Sequence, residues 1–246
     1  MNKKVVLITG SSSGLGASTA RLFAKNDYNV VINYLTHENN ALELKKELES
    51  KYHIEVLCIK ADVSNEDDVK NMADEVIKSF GHLDVLVNNA GIAIDTLFEN
   101  KTKEIFMRTL EVNLYGTFLV SQIFGKIMFD NKKGKIINIS STNGLDTYYE
   151  YSLDYDASKA GIINLTHNLA NHFAPYLNVN CVCPGWMKTP MNDGLDEDQI
   201  KEEESNTLLK RFAEPDEVAN IVYFLATDEA SYVTDSIIRV DGGLKC

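Results

Sequence analysis

The sequence predicts an α/β fold in which a parallel sheet is covered by helices on both faces. Three observations predict it. Short runs rich in β-branched residues alternate with helical patterns along the whole chain. Those runs are almost wholly apolar, as strands are when both of their faces are buried. The glycine-rich and polar stretches follow the strands, where sheets of this kind bind ligands.

Taken in order, Val5-Val6-Leu7-Ile8 reads as a buried strand that stops at Thr9-Gly10. From Gly14 to about Asn26, Leu15, Thr19, Leu22 and Phe23 recur at helical spacing. Val30-Val31-Ile32 is the second strand. His37 to about Lys51 is an amphipathic helix, with Leu44 and Leu48 set against Lys45, Lys46 and Glu49. Val56 to Ile59 is the third strand. Ser64 and Asp67 form a capping-box pattern that starts a helix running to Phe80, and Gly81 ends it. Val85-Leu86-Val87 leads into Asn88-Asn89-Ala90-Gly91, and a long helix is expected over 103–130. Ile136 to Ile139 is the fifth strand and ends at Ser140-Ser141. A helix over 154–174 stops at Pro175. Val179 to Val182, helices over 196–210 and 215–227, and Ile237 to Val240 complete the chain. Pro215 stands in the first turn of its helix, where its missing N–H costs nothing. No linker or repeat interrupts the pattern, so 1–246 is expected to be one domain.

The net charge of −12 excludes the basic footprint that nucleic acid requires and disfavours anionic membrane surfaces. An anionic cofactor stays compatible with it, because backbone N–H groups bind phosphate on an acidic protein. No apolar run approaches the ~18 residues of a membrane span. Val5–Ile8 is too short for a signal-peptide core and ends in a turn, so a cytoplasmic protein is expected. Cys58, Cys181, Cys183 and Cys246 show no CxxC or Cys/His ligand spacing. Neither a metal nor a disulfide is expected. Cys181 and Cys183 should share one face of a strand as small buried side chains.

Two stretches carry chemistry. Thr9-Gly10-Ser11-Ser12-Ser13-Gly14-Leu15-Gly16 joins the first strand to the first helix. Glycine permits the tight turn, and the helix start offers N–H groups and a positive dipole end to a phosphate. Tyr155 and Lys159 lie four apart on a helix and so on one face. An ammonium beside a phenol favours the phenolate, which should lower a pKa that starts near 10.

These motifs, in this order and spacing, resemble the short-chain dehydrogenase/reductase family: Thr9-Gly10-x-x-x-Gly14-x-Gly16, Asn88-Asn89-Ala90-Gly91 and Tyr155-x-x-x-Lys159. Asp62-Val63, Asn113, Ser141 and Pro184-Gly185 agree, and the resemblance spans essentially the whole chain. It implies a Rossmann-like three-layer sandwich with a seven-stranded parallel sheet in the order 3-2-1-4-5-6-7. It implies hydride transfer between a nicotinamide cofactor and a carbonyl or secondary alcohol. Catalytic roles fall to Asn113, Ser141, Tyr155 and Lys159. Asn113 would hold a relay water and distort its helix. Cofactor contacts fall to Gly10, Ser12, Ser13, Gly14, Leu15, Gly16, Tyr34, Thr36, Asp62, Val63, Asn89, Ala90, Gly91, Pro184, Gly185, Trp186 and Thr189, with Tyr155 and Lys159. Ser140 rivals Ser141 by position, but the strand end favours Ser141.

Tyr34 stands where family members that prefer NAD often carry Asp. With no acid to repel a 2′-phosphate, NADP(H) is favoured and NAD(H) stays possible. Asn33, Thr36, His37 and Ser13 are candidate phosphate partners. The chain is similar overall to bacterial 3-oxoacyl-acyl-carrier-protein reductases, which implies a carrier-bound substrate and Lys132-Lys133 as part of a docking patch. The alternatives are a reductase of a small ketone, sugar, polyol or steroid alcohol, and a cofactor-sensing protein without turnover. Tyr148, Tyr149 and Tyr151 should shape the substrate pocket, with a loop or lid over about 186–210. A homotetramer is implied, paired through the long helices and last strands.

Overall fold

Alternation of apolar side chains along each strand builds two cores, one on each face of the sheet. The computed structural model describes residues 3–245. Its strands are β1 (Val5–Ile8), β2 (Asn29–Tyr34), β3 (Val56–Lys60), β4 (Val85–Asn88), β5 (Gly134–Ile139), β6 (Leu177–Pro184) and β7 (Ile237–Val240). All pair in parallel, in the order β3-β2-β1-β4-β5-β6-β7. Val6 and Ile8 point into one core, with Val85 and Val87; Val5 and Leu7 point into the other, with Leu86.

Helices α1 (Gly14–Lys25), α2 (Glu38–Tyr52) and α8 (Pro215–Ala226) cover the first face. Helices α3 (Glu66–Phe80), α5 (Gly116–Asp130) and α6 (Leu153–Phe173) cover the second, with α4 (Lys103–Leu110) packed against α6. Strand order reverses between β1 and β4, which opens a crevice at their carboxyl ends. Helix α7 (Glu197–Asn206) lies apart from both cores and buries none of its residues.

The structure departs from the sequence reading at several ends. Asn65, not Ser64, caps α3, accepting from the N–H groups of Asp67 and Asp68 at 3.0 and 3.1 Å. Ser64 is engaged elsewhere, donating to Asp62 at 2.6 Å. The long helix over 103–130 is interrupted by a wider π turn at Glu111–Tyr115, between α4 and α5. Helix α7 ends at Asn206, because Thr207 leaves it to bridge Leu244. Cys181 and Cys183 do share one face of β6, with their sulfurs 3.9 Å apart. Cys246 lies outside the described residues. No helix among the described residues is long and apolar enough to cross a membrane.

Candidate active site

The carboxyl ends of β1, β4, β5 and β6 border a cleft of about 550 Å³. The glycine-rich turn forms one wall. Ser141, Tyr155 and Lys159 stand at its centre, and Trp186 to Asn192 close the far side.

The glycine wall is held by side chains that the chain itself satisfies. Asn89 Nδ2 donates to the carbonyls of Thr9 and Gly10 at 2.9 and 3.1 Å. Thr9 Oγ1 accepts from the N–H groups of Asn89 and Ala90. Asn33 Oδ1 accepts from the Gly10 N–H, and its amide donates to Ala61 and Ile59. Gly10 sits at φ +60, and a Cβ there would lie 2.9 Å from Ala90 Cα. A Cβ on Gly16 would meet Asn89, Gly10 and Ser11 atoms at 2.7 Å. Only glycine fits either position.

Helix α1 starts at this wall. Ser13 occupies its N-cap without a side-chain hydrogen bond, and its first turn has no acidic residue. Asn65, Thr102 and Asp196 cap α3, α4 and α7. A helix start left without a side-chain cap, at a glycine cradle, fits the pyrophosphate of a dinucleotide.

The central group is built from β5 and α6. Ser140 is buried, and its hydroxyl donates to the Lys159 carbonyl at 2.7 Å. That contact spends Ser140 on packing. Ser141 instead hydrogen-bonds the Tyr155 phenol and accepts from the Asn143 N–H at 3.2 Å. Lys159 Nζ donates to the Ile139 carbonyl at 3.0 Å and lies 5.3 Å from the centre of the Tyr155 ring. Burial pushes the Lys159 ammonium down to about 8. Burial also pushes the Tyr155 phenol up to about 12, against a smaller opposite effect of Ser141. The expected lowering of Tyr155 by Lys159 is not what prevails: burial raises the phenol instead. The ammonium faces the ring and a carbonyl, and desolvation of the phenolate dominates. The phenol holds its proton at neutral pH.

Asn113 lies in the π turn and is fully buried. Its side chain accepts from the Ile92 N–H at 2.8 Å and donates to the Ile92 carbonyl and Ser158 Oγ. A Cβ placed on Gly91 would lie 3.3 Å from Asn113 Oδ1 and 3.5 Å from Lys159 Nζ. The expected helix distortion is present, and it aims Asn113 at the loop beside Lys159.

A family profile described as enoyl-(acyl carrier protein) reductase matches residues 10–245. The chain belongs to the short-chain dehydrogenase/reductase family. Curated relatives agree. A protein of Thermotoga maritima named 3-oxoacyl-[acyl-carrier-protein] reductase FabG is 38% identical over 244 residues, covering 98% of this chain and 97% of that one. A protein of the same name from Staphylococcus epidermidis is 38% identical over 245 residues, covering 99% of each. The crystal structure of gox2181 superposes with a TM-score of 0.93 at 31% identity, covering 98% of this chain and 95% of that one. The protein is thus an NAD(P)-dependent oxidoreductase acting on carbonyl and CH–OH groups.

Within this short-chain dehydrogenase/reductase, several expected contacts take a different form. Tyr34 is buried and joins the first core while still lining the cleft. Asn33 is spent on the sheet and has nothing left for a phosphate. Thr36 and His37 do line the cleft, hydrogen-bonded to each other at 3.0 Å. Burial works to raise the Asp62 pKa, but hydrogen bonds from Ser64 and from Arg108 (2.9 Å) outweigh it and hold the carboxyl low. Val63 packs its side chain near Gly116. The Trp186 carbonyl accepts from Ala213, which leaves only its N–H for a ligand. Thr189 lies over Gly14, with side-chain atoms 3.5 Å from where a Cβ would sit. Lys132 and Lys133 precede β5, about 20 Å of strand away from the cleft end. Lys133 pairs there with Asp84 at 3.5 Å, at the amino end of β5 and so at the end of the sheet opposite the cleft.

Three residues escaped the sequence reading. Arg108 and Asp95 line the cleft, and Lys101 lies buried beside it, bonded to Asp154. Each lies in a stretch of ordinary charged residues. Only the fold brings Arg108 to Asp62, 46 positions away, and Lys101 to Asp154, 53 away.

Proposed function

We propose that the chain reduces the 3-keto group of acyl thioesters, with NADPH as reductant and an acyl carrier as the natural bearer of the substrate. The observation that carries this reading is the meeting of the Ser141 and Tyr155 hydroxyls beside Lys159. Two hydroxyls at one point suit a single carbonyl oxygen: one holds it, the other protonates it. The nicotinamide supplies the hydride when bound. Ser141 donates a hydrogen bond to the carbonyl oxygen, and Tyr155 gives that oxygen its proton as the alcohol forms. Lys159, a few ångströms from the phenol ring, is placed to orient the cofactor's ribose and to restore the phenol. The names of the relatives support the 3-oxoacyl substrate, and the absence of an acid at position 34 supports NADPH.

A second reading is favoured by one observation. The rim is acidic: α7 carries Glu197, Asp198, Glu202, Glu203 and Glu204, and acyl carriers are acidic too. A small hydroxylated ketone would meet no such repulsion. The test is NADPH consumption with acetoacetyl-N-acetylcysteamine, a panel of hydroxyketones, and crotonyl-N-acetylcysteamine for reduction of a C=C bond. Turnover of the acetoacetyl thioester, lost by ~10³-fold in Tyr155→Phe with cofactor affinity kept, is the expected result. Turnover of crotonyl thioester or of hydroxyketones alone overturns the first reading. Tighter binding of NADH than NADPH, read from the fluorescence of the single tryptophan, overturns the cofactor preference.

The substrate segment over 186–210 acts as a lid in this proposal, supported by its slight anchoring through α7. Pairing of two copies is supported by an apolar groove of Met107, Leu110, Leu114, Tyr115, Phe118 and Leu165, and by β7, which among the described residues pairs only with β6. A monomer in light scattering would refute a tetramer.

A further inference from the structure

Asp95 lines the cleft as an exposed residue, and its carboxylate accepts no hydrogen bond from the described residues. The other cleft carboxylate, Asp62, is satisfied by Ser64 and Arg108. Asp95 lies close enough to the central group that its charge acts on both Tyr155 and Tyr149.

Its position is fixed from both sides. The preceding carbonyl, of Ile94, accepts from Lys101 Nζ at 2.7 Å. The following N–H, of Thr96, donates to the Tyr151 carbonyl at 2.9 Å. Lys101 also reaches Tyr151 O at 3.3 Å and Asp154 Oδ1 at 2.9 Å, and Thr109 donates to the second Asp154 oxygen at 2.7 Å. Lys101 and Asp154 are 4% and 0% exposed, so this is a costly buried ion pair. It ties the loop after β4, the loop before α6 and the residue next to Tyr155 into one unit. Among the described residues, Asp95 is the carboxylate of that unit that lines the cleft without a hydrogen-bond donor.

We propose that Asp95 determines specificity by accepting the amide N–H that follows the sulfur in the substrate's carrier arm, with Lys101 as its positioning residue. The inference rests on the thioester reading above. A carboxylate here repels phosphate or carboxylate groups near the reacting carbonyl and rewards a neutral donor. The carrier arm offers such a donor a few bonds beyond the thioester sulfur.

The test uses a matched pair: acetoacetyl-N-acetylcysteamine, and the analogue in which an ester oxygen replaces its N–H. The wild-type enzyme should prefer the amide by about tenfold or more in kcat/KM, expressed in KM. Asp95→Leu should erase the amide-over-ester preference in KM, whatever it does to the kcat that the two thioesters share, while NADPH binding stays unchanged. Asp95→Asn, which keeps an acceptor, should retain the preference. Quenching of Trp186 fluorescence by the two 3-hydroxybutyryl products should follow the same order. Equal effects of Asp95→Leu on both thioesters, or none on either, overturn the proposal while the thioester reading stands. Failure of the wild-type enzyme to reduce either thioester overturns both, and is seen before any variant is made.

Discussion

The two walls of the cleft are made differently. On the cofactor wall, Thr9, Asn33 and Asn89 spend their side chains on backbone groups of the same wall, and the glycines admit no other residue. On the substrate wall, Tyr148 and Met191 are mostly exposed and α7 buries nothing. That wall is hung from tethers: the Lys101–Asp154 pair, and the Trp186 indole N–H donating to Glu203 at 2.8 Å. The first wall has its shape before any ligand arrives. The second is positioned by a few polar contacts, so single substitutions there should act on substrate without touching the cofactor.

The largest effect should come from breaking the buried tether. Lys101→Met leaves Asp154 charged, fully buried and held only by Thr109. Loss of one partner of such a pair costs ~3–5 kcal/mol, whereas an apolar replacement of both is near neutral. Urea unfolding of Lys101→Met and of Lys101→Met/Asp154→Leu measures both. The single variant should lose stability, and the double variant should recover most of it. A recovered double variant with raised KM but unchanged NADPH affinity would show that the tether acts on the substrate wall alone. Equal stability of wild type and single variant would break the comparison.

Next in size is Lys159, which sits between the walls. Its ammonium is charged in both folded and unfolded chains at pH 7, so burial makes it a net cost there. Between about 8 and the ordinary lysine value near 10.5, the folded chain gives up the proton and the unfolded chain keeps it. The unfolded state then binds more protons, and stability rises with pH through that window. Lys159→Met should therefore be more stable than wild type by ~2–3 kcal/mol at pH 7, although its activity is lost. The gap should close as pH rises past 8 toward 10. A gap that does not change with pH would mean that the ammonium is not desolvated in solution.

The same division explains what was legible in the sequence. The strands and the glycine-rich turn could be read because their requirements are local: apolar runs and glycines at fixed offsets, whereas the sheet order came with the family resemblance. Ser140 and Ser141 both line the cleft, and what separates them is a contact 19 positions away, the Ser140 hydroxyl donating to the Lys159 carbonyl. Lys101, Arg108 and Asp95 were not legible, because each gains its meaning from a partner or neighbour dozens of positions away. Tyr34 was read as a cofactor contact from its position; β2 extends through it, and it both lines the cleft and packs against the first core. The phenol's pKa was misjudged for a related reason. Spacing shows a nearby charge, whereas desolvation is a property of the folded surroundings.

The smallest effect should come from the outer tether. Trp186 stacks on Phe212 at 5.6 Å, meets Tyr149 edge-on at 6.1 Å and is fixed by Glu203 from α7. Glu203→Leu removes the one hydrogen bond that joins α7 to this aromatic stack, and neither core is touched. Stability should change by less than ~1 kcal/mol, because α7 contributes no buried residue. The indole loses a charged acceptor, so the lid should open more often and KM for the carbonyl substrate should rise between about threefold and tenfold. Because Trp186 is the chain's only tryptophan, its emission reports the same event directly, moving to longer wavelength as water reaches the ring. A shifted emission with unchanged KM would make α7 a passive cover. A loss of NADPH affinity would mean instead that the two walls are coupled through Trp186, whose backbone begins the segment that carries Thr189 across Gly14.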